Sequence, residues 1–303
     1  MMEEPRSAQS RAEVRAAWAL VSPAIAVIVL VGAFPIAWTV WESLHLHDLR
    51  MPWLGRPFSG LANYREVLAD LRFWSALGHA VAFVVTAVSI ELTTGLLLAL
   101  ALHGLSRGQG VARTAVLLPW AIPTVVAALI WRFIFESPGG LATAAVEVTG
   151  WHAPTWLADP LAAWIPIVLA DVWKTTPFVA ILLLAGLQNI DQALYEAASV
   201  DGAGSWRQFT AITLPMLRPA LLVAVLFRAL DAFRVFDVIY VMTGGGPGTA
   251  TEPLAIYAFG TLLQQLRFGY GSALSVVVFA VAFIVALGTV RLLNPAAHED
   301  GAR

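Results

Sequence analysis

The chain has 303 residues, 59% of them hydrophobic and 13% charged, with a mean hydropathy of +0.75. That is far from a soluble globular domain and makes a membrane protein the starting expectation. The absence of cysteine excludes disulfide stapling, thiol catalysis and cysteine-based zinc or iron–sulfur sites, and a formal net charge of −2 gives no footprint for nucleic acid.

Six stretches are long and apolar enough to cross a hydrocarbon core, which takes about 20 helical residues. They run from Trp18 to Trp41, Leu77 to Leu102, Ala115 to Phe135, Leu161 to Leu187, Ala220 to Met242 and Ser272 to Leu293. The expected fold class is therefore all-α: a polytopic membrane protein with six transmembrane helices over residues 18–293, an N-terminal segment 1–17 and a tail 294–303. The first apolar run is too long for a signal-peptide core, so it is expected to stay in the protein. Arginine placement favours both termini inside, with Arg6, Arg11, Arg15, Arg107, Arg113, Arg207, Arg218, Arg291 and Arg303 on that side. Arg50, Arg56, Arg65, Arg72 and Arg267 then lie outside. Pro119, Pro123 and Pro177 fall inside spans and predict kinks, because each leaves a backbone carbonyl in need of another partner.

Between the fourth and fifth spans, residues 188–219 form the longest expected cytoplasmic loop. Glu196, Ala197 and Ala198 favour a helix, and Gly202 and Gly204 supply a break. Ser205 can cap a second short helix that is expected to stop before Pro215. Trp206 and Phe209 offer anchors of the kind that dominate protein interfaces. The segment reads Glu196-Ala197-Ala198, then three residues, Gly202, nine residues, and Ile212-Thr213-Leu214-Pro215. It resembles the EAA loop of ABC importer permeases, without departure at those positions.

That resemblance extends to the carbohydrate-type permeases, those similar to the maltose, trehalose and glycerol-3-phosphate importers. The matching runs are GLANYREVLAD, LLPWAIPTVVAALIWRFIF, DVWKTTPFVAILLLAGLQNI and FRVFDVIYVMTGGGP, the last ending at Pro247. The TGGGP run is more like the first of the two permeases in such importers. Gly78-His79-Ala80 departs from an Asn-Thr pair common there.

The resemblance implies a type I importer permease fold and a loop that docks on an ATP-binding subunit through Glu196, Ala197, Ala198, Gly202, Ile212, Leu214 and Pro215. It also implies a homologous second permease, two ATP-binding subunits that hold the ATP and magnesium, an external solute-binding protein, a surrounding membrane and a sugar substrate. This chain itself has no phosphate-binding loop, because Lys174 lacks upstream glycines, and it shows no hydrolase motif. No cofactor, metal or catalytic residue is expected in it.

The segment RALDAFRVFD places Arg228, Asp231, Arg234 and Asp237 at intervals of three within the fifth span. Charges at that depth either pair or mark a substrate path. Successive members are displaced by about 60° around a helix, so neighbours can pair but all four cannot share one face. Two readings stand open: an Arg/Asp ladder that knits spans together, and a midplane site in which Asp231 and Arg234 hydrogen-bond sugar hydroxyls. Relatives of the maltose type place substrate contacts in this part of the helix, a match by position rather than by residue identity.

On the fourth span, Asp171 and Lys174 are spaced for an i,i+3 ion pair, and Trp173 beside them is a candidate stacking surface for a sugar. Glu91 in the second span needs a partner, with an arginine of another span as candidate. The rival to an importer is a proton-coupled secondary transporter using Glu91, Asp231 and Asp237; a non-transporting assembly factor is a weaker one.

Overall fold

A computed structural model describes residues 6–293. Parts of the expected N-terminal segment and the whole tail, including Arg303, lie outside the described residues. The elements are α1 (Arg6–Ile28), α2 (Phe34–Ser43), α3 (Ala62–Ala69), α4 (Leu71–His103), α5 (Gln109–Ala121), α6 (Thr124–Ile134), α7 (Leu141–Glu147), α8 (Trp164–Gln188), α9 (Gln192–Val200), α10 (Ser205–Gln208), α11 (Leu214–Phe233), α12 (Asp237–Met242), α13 (Leu254–Phe259) and α14 (Phe268–Leu293). Among the described residues there is no strand, and a single bridge joins His45 to Phe58.

Five continuous helical stretches are long and apolar enough to cross a membrane: Glu13–Ser43, Leu71–His103, Trp164–Gln188, Ser205–Phe233 and Phe268–Gly288. The sixth is a broken pair, α5 and α6, bent by 84°. The expected kink at LLPWAIP is thus a full break. Ile122 is extended at φ −69°, ψ 133°, as the residue before a proline prefers, and α6 restarts immediately after Pro123. Pro119 and Pro177 stay within their helices.

Other prolines also sit in helices without stopping them, and two of these follow a widened turn. Val29–Ala33 and Phe209–Thr213 are π-helical turns, and each is followed by one residue and then a proline, Pro35 and Pro215. A proline removes an N–H donor and crowds the carbonyl four residues back; a widened turn just before it relieves both. The helix expected to stop before Pro215 instead continues from Ser205 to Phe233. Ser205 is its first residue rather than its cap, and Gly204 occupies the cap position without a side-chain bond.

The chain divides into two compact units, Met1–Ala69 with Thr261–Val277, and Asp70–Gly260 with Val278–Arg303. In the first, Asn63 Nδ2 donates to the carbonyls of Ser43 and His45, at 2.8 and 3.0 Å, fixing the turn after α2. Arg267 reaches Glu66 at 2.5 Å, and Gly269 N–H donates to His47 O at 2.9 Å.

In the second unit the core forms around α4 and α8. Gly95 lets these helices approach closely: a Cβ there would lie 2.7 Å from Val179 Cγ1 and 3.3 Å from the Ala180 nitrogen. Gly186 does the same for α8 and α11, where a Cβ would lie 2.7 Å from Ala220 Cβ. Small residues at helix contacts are how membrane helices gain packing without a hydrophobic driving force. The start of α4 is held by Arg72, whose Nε and Nη2 each donate to Glu252 at 2.7 Å, while His79 Nδ1 meets Glu252 O at 3.1 Å. His79 thus has a structural contact.

These contacts predict opposite effects for two similar changes. Gly78→Ala, where a Cβ meets nothing within 4 Å, should raise thermal stability in detergent by up to about 1 kcal/mol through helix propensity. Gly95→Ala should lower it by about 1–3 kcal/mol through overpacking. A melting series of the two variants checks the sign of each.

Candidate functional site

The charged cluster assembles from three helices that the sequence separates widely. Glu91 lies on α4, Asp171 on α8, and Arg228 and Asp231 on the last turns of α11. Arg228 is 3% exposed and Glu91 0%, so each would be a costly isolated charge. They meet as a fork: Arg228 Nε donates to Glu91 Oε2 at 2.5 Å and Nη2 to Glu91 Oε1 at 2.8 Å. The same Nη2 donates to Asp171 Oδ2 at 3.0 Å, and Nη1 to Asp231 Oδ2 at 2.5 Å. Thr175 Oγ1 adds a 2.7 Å bond to Glu91 Oε1. A planar guanidinium with a fixed fan of donors suits this many-sided task; a lysine ammonium does not.

Several sequence expectations change here. Asp171 and Lys174 do not form a pair: Asp171 turns to Arg228, and Lys174 Nζ donates to Trp120 O at 3.2 Å. The partner across the bundle wins because it offers a buried guanidinium already fixed by Glu91. The fifth-span charges are not in mid-helix. α11 ends at Phe233, Arg234 caps it at φ −102°, ψ 24°, and Asp237 opens α12. The expected ladder is therefore partial: Asp231 bonds Arg228 and stands 3.9 Å from Arg234, but no ion pair among the described residues includes Asp237. Trp173 is absent from the cavity wall and packs edge-on against Trp131 at 6.0 Å.

In front of the cluster lies a cavity of about 780 Å³, within the range of small-molecule sites. Asp171, Lys174, Arg228, Asp231, Arg234 and Asp237 all line it, together with Trp120, Phe178, Phe227, Phe236 and Phe279. The side chains divide into two tiers. Arg228 and Asp171 are buried behind, whereas Asp231 is 59% and Arg234 77% exposed at the front. The front pair presents both hydrogen-bond acceptors and donors beside aromatic faces. The break between α11 and α12 has no signal in the sequence; Phe233 to Phe236 carries no proline or glycine to announce it.

The loop between α8 and α11 is a self-capped helix hairpin. Asp191 Oδ1 accepts from Ala193 N–H at 2.9 Å and starts α9. At its other end Gly202, at φ +78°, donates its N–H to Ser199 O, and Ala203 N–H reaches Ala198 O at 2.8 Å. This paired pattern closes a helix with glycine in the left-handed position. Gln208 Nε2 donates to Ser199 Oγ, and Tyr195 Oη meets Thr213 Oγ1 at 2.9 Å, so the hairpin is fixed from both sides. Its outer surface is open: Glu196, Ala197, Ala211 and Leu214 are exposed, and Trp206 is 75% exposed beside a half-buried Phe209. Ala198, Ile212 and Pro215 are half-buried.

Apolar helices long enough to cross a membrane, a polar cavity lined by residues of α5, α6, α8, α11, α12 and α14, and an exposed helix hairpin are together the parts of a multi-pass membrane transport component. Residues 91–298 match the family described as the binding-protein-dependent transport system inner membrane component, and the chain belongs to that family of ABC importer permeases. It is 42% identical to the trehalose/maltose transport system permease protein MalF of Thermococcus litoralis over 89% of this chain and 90% of that one. It is likewise 42% identical to the trehalose transport system permease protein SugA of Mycobacterium tuberculosis, over 96% and 93%. Its fold matches a chain of a bacterial alginate ABC transporter, solved in complex with alginate pentasaccharide-bound periplasmic protein, at a TM-score of 0.81 and 22% identity over 97% of this chain and 99% of that one. Membership in a binding-protein-dependent family replaces the proton-coupled and assembly-factor readings.

Removing Arg228 would leave Glu91 and Asp171 buried without their cation. Arg228→Met is expected to cost about 3–5 kcal/mol of stability. Adding Glu91→Gln should recover part of that loss, since one stranded charge is then removed. Thermal unfolding of the two variants in detergent measures both terms; an unchanged melting temperature in Arg228→Met contradicts the assignment.

Proposed function

We propose that the chain is the permease subunit of a sugar ABC importer and that its leading substrate is a disaccharide of the trehalose or maltose type. The observation that carries this reading is the cavity edged by Asp231, Arg234 and Lys174 with aromatic faces beside them, in a chain whose relatives at 42% identity bear trehalose and maltose in their names. Sugar hydroxyls both donate and accept, which matches a carboxylate and a guanidinium side by side. Glycerol-3-phosphate is the second candidate; it would engage the same Arg234, but the neighbouring Asp231 repels a phosphate.

The subunit would pair with a homologous permease, receive sugar from an external solute-binding protein and draw on two ATP-binding subunits that hold ATP and magnesium. The hairpin of Glu196, Ala197, Ala198, Gly202, Trp206, Phe209, Ile212, Leu214 and Pro215 would dock on one ATP-binding subunit. Because α10 and α11 form one helical run to Phe233, a displacement at Trp206 would be carried along it toward Arg228 and Asp231 at its far end. Differential affinity for the inward- and outward-open states makes the step directional. In this arrangement the hairpin and both termini face the cytoplasm.

Tagging this chain, extracting it in mild detergent and identifying its companions by mass spectrometry should recover an ATP-binding subunit and a second permease. A lone chain would overturn the reading.

Two glycine variants test the hairpin. A side chain at Gly202 meets nothing within 4 Å in this chain, so Gly202→Ala adds only left-handed strain of about 1–2 kcal/mol and should retain most uptake. Gly202→Arg projects bulk outward and should abolish uptake while the protein still inserts. Normal uptake by Gly202→Arg contradicts the docking role.

A further inference from the structure

Asp231 stands where the buried charge cluster meets the cavity. Its side chain is 59% exposed on the last turn of α11, where an unrestrained aspartate would exchange among staggered rotamers. Here it is restrained. Arg228 Nη1 donates to Asp231 Oδ2 at 2.5 Å, and Arg228 is itself fixed, because its Nε and Nη2 are committed to the buried carboxylates of Glu91 and Asp171. The remaining oxygen, Oδ1, accepts no hydrogen bond among the described residues; Arg234 Nη2 stands 3.9 Å from it, beyond bonding distance. The cavity wall thus carries an accessible carboxylate oxygen held by its partner atom in one orientation, with its acceptor capacity unused.

An acceptor fixed before its ligand arrives does not have to be ordered during binding, and that saving appears as affinity. Only a guanidinium serves here. A lysine ammonium would still neutralise Glu91 and Asp171, but it lacks the planar fan of donors that reaches Asp231 at the same time. We propose that Arg228 is a positioning residue for sugar recognition: it fixes the Asp231 carboxylate so that Oδ1 accepts a hydrogen bond from a hydroxyl of the transported sugar. This inference rests on the reading that the sugar passes through this cavity, and it adds to that reading which oxygen meets the sugar and which buried residue aims it.

The test is equilibrium binding of radiolabelled trehalose and maltose to the intact assembly, purified through a tag on this chain and freed of solute-binding protein. Arg228→Lys keeps a cation beside Glu91 and Asp171 but releases Asp231, and should raise the half-saturating sugar concentration about tenfold, the size of one hydrogen bond to a charged group. Asp231→Ala should do the same. The double variant should bind no more weakly than Asp231→Ala alone, because both changes remove one contact; a defect that is only structural would persist on top of Asp231→Ala. Asp231→Glu keeps the carboxylate but moves its free oxygen by one methylene, and should weaken binding as much as Asp231→Ala. That change is at an exposed residue, so it reports even if Arg228→Lys fails to fold. Wild-type half-saturation in Arg228→Lys or Asp231→Glu, or additive losses in the double variant, overturns the positioning role while leaving the sugar path standing. Absence of saturable sugar binding by the wild-type assembly overturns the sugar path and this inference with it.

Discussion

The guanidinium of Arg228 is the constraint on which the second unit depends. A carboxylate on α4 and another on α8 are both placed where an unpaired charge is prohibitive, and one arginine on α11 answers both. Three helices that share no sequence neighbourhood are thereby locked in rotation and in depth. Aliphatic packing around Leu183, Leu184 and Leu217 fills the space between the helices, but it does not select one register the way a forked ion pair does. The same arginine extends an N–H to Asp231, so the buried structural tier and the exposed cavity tier share one side chain.

That sharing makes the two readings of the RALDAFRVFD charges compatible. Arg228, Glu91 and Asp171 behave as a structural knot, whereas Asp231, Arg234 and Lys174 stand at the cavity. The end of α11 at Phe233 separates these roles. A continuous helix would carry Arg234 and Asp237 further around its axis by about 60° at each step; the break turns both toward the cavity that Asp231 borders. Helix ends of this kind at membrane depth are tolerated where they line a cavity, which is where this one lies.

The long apolar runs were legible because hydrophobicity sustained over a span's length is what a hydrocarbon core demands and a water-facing helix does not tolerate. The glycine turn at Gly202 was legible too, since a left-handed residue after a helix favours glycine. Glu91's need for an arginine from another span followed from its depth alone, but its identity did not: Arg228 lies 137 positions away, and no spacing rule reaches that far. Asp171 and Lys174 show the converse error. Their i,i+3 spacing made a pair possible, and a better donor across the bundle took the carboxylate. The π turns before Pro35 and Pro215 were hidden because proline in sequence signals interruption, while in these helices a single widened turn absorbs it. Glu252, the partner of Arg72, had no sequence signal, being a lone acid after a glycine-rich loop.

If the tier of Asp231, Arg234 and Lys174 borders the path of the transported sugar, a reporter placed there must sense both the sugar and the transport cycle. The chain contains no cysteine, so a single Lys174→Cys substitution reports without further changes. The measurement is its rate of reaction with a small charged thiol reagent in the assembled transporter, with and without trehalose and maltose and in the resting and ATP-bound states. Labelling is expected to change with nucleotide state and to slow when the transported sugar is present. Labelling that is absent in every state, or indifferent to both nucleotide and sugar, would contradict a sugar path at this tier.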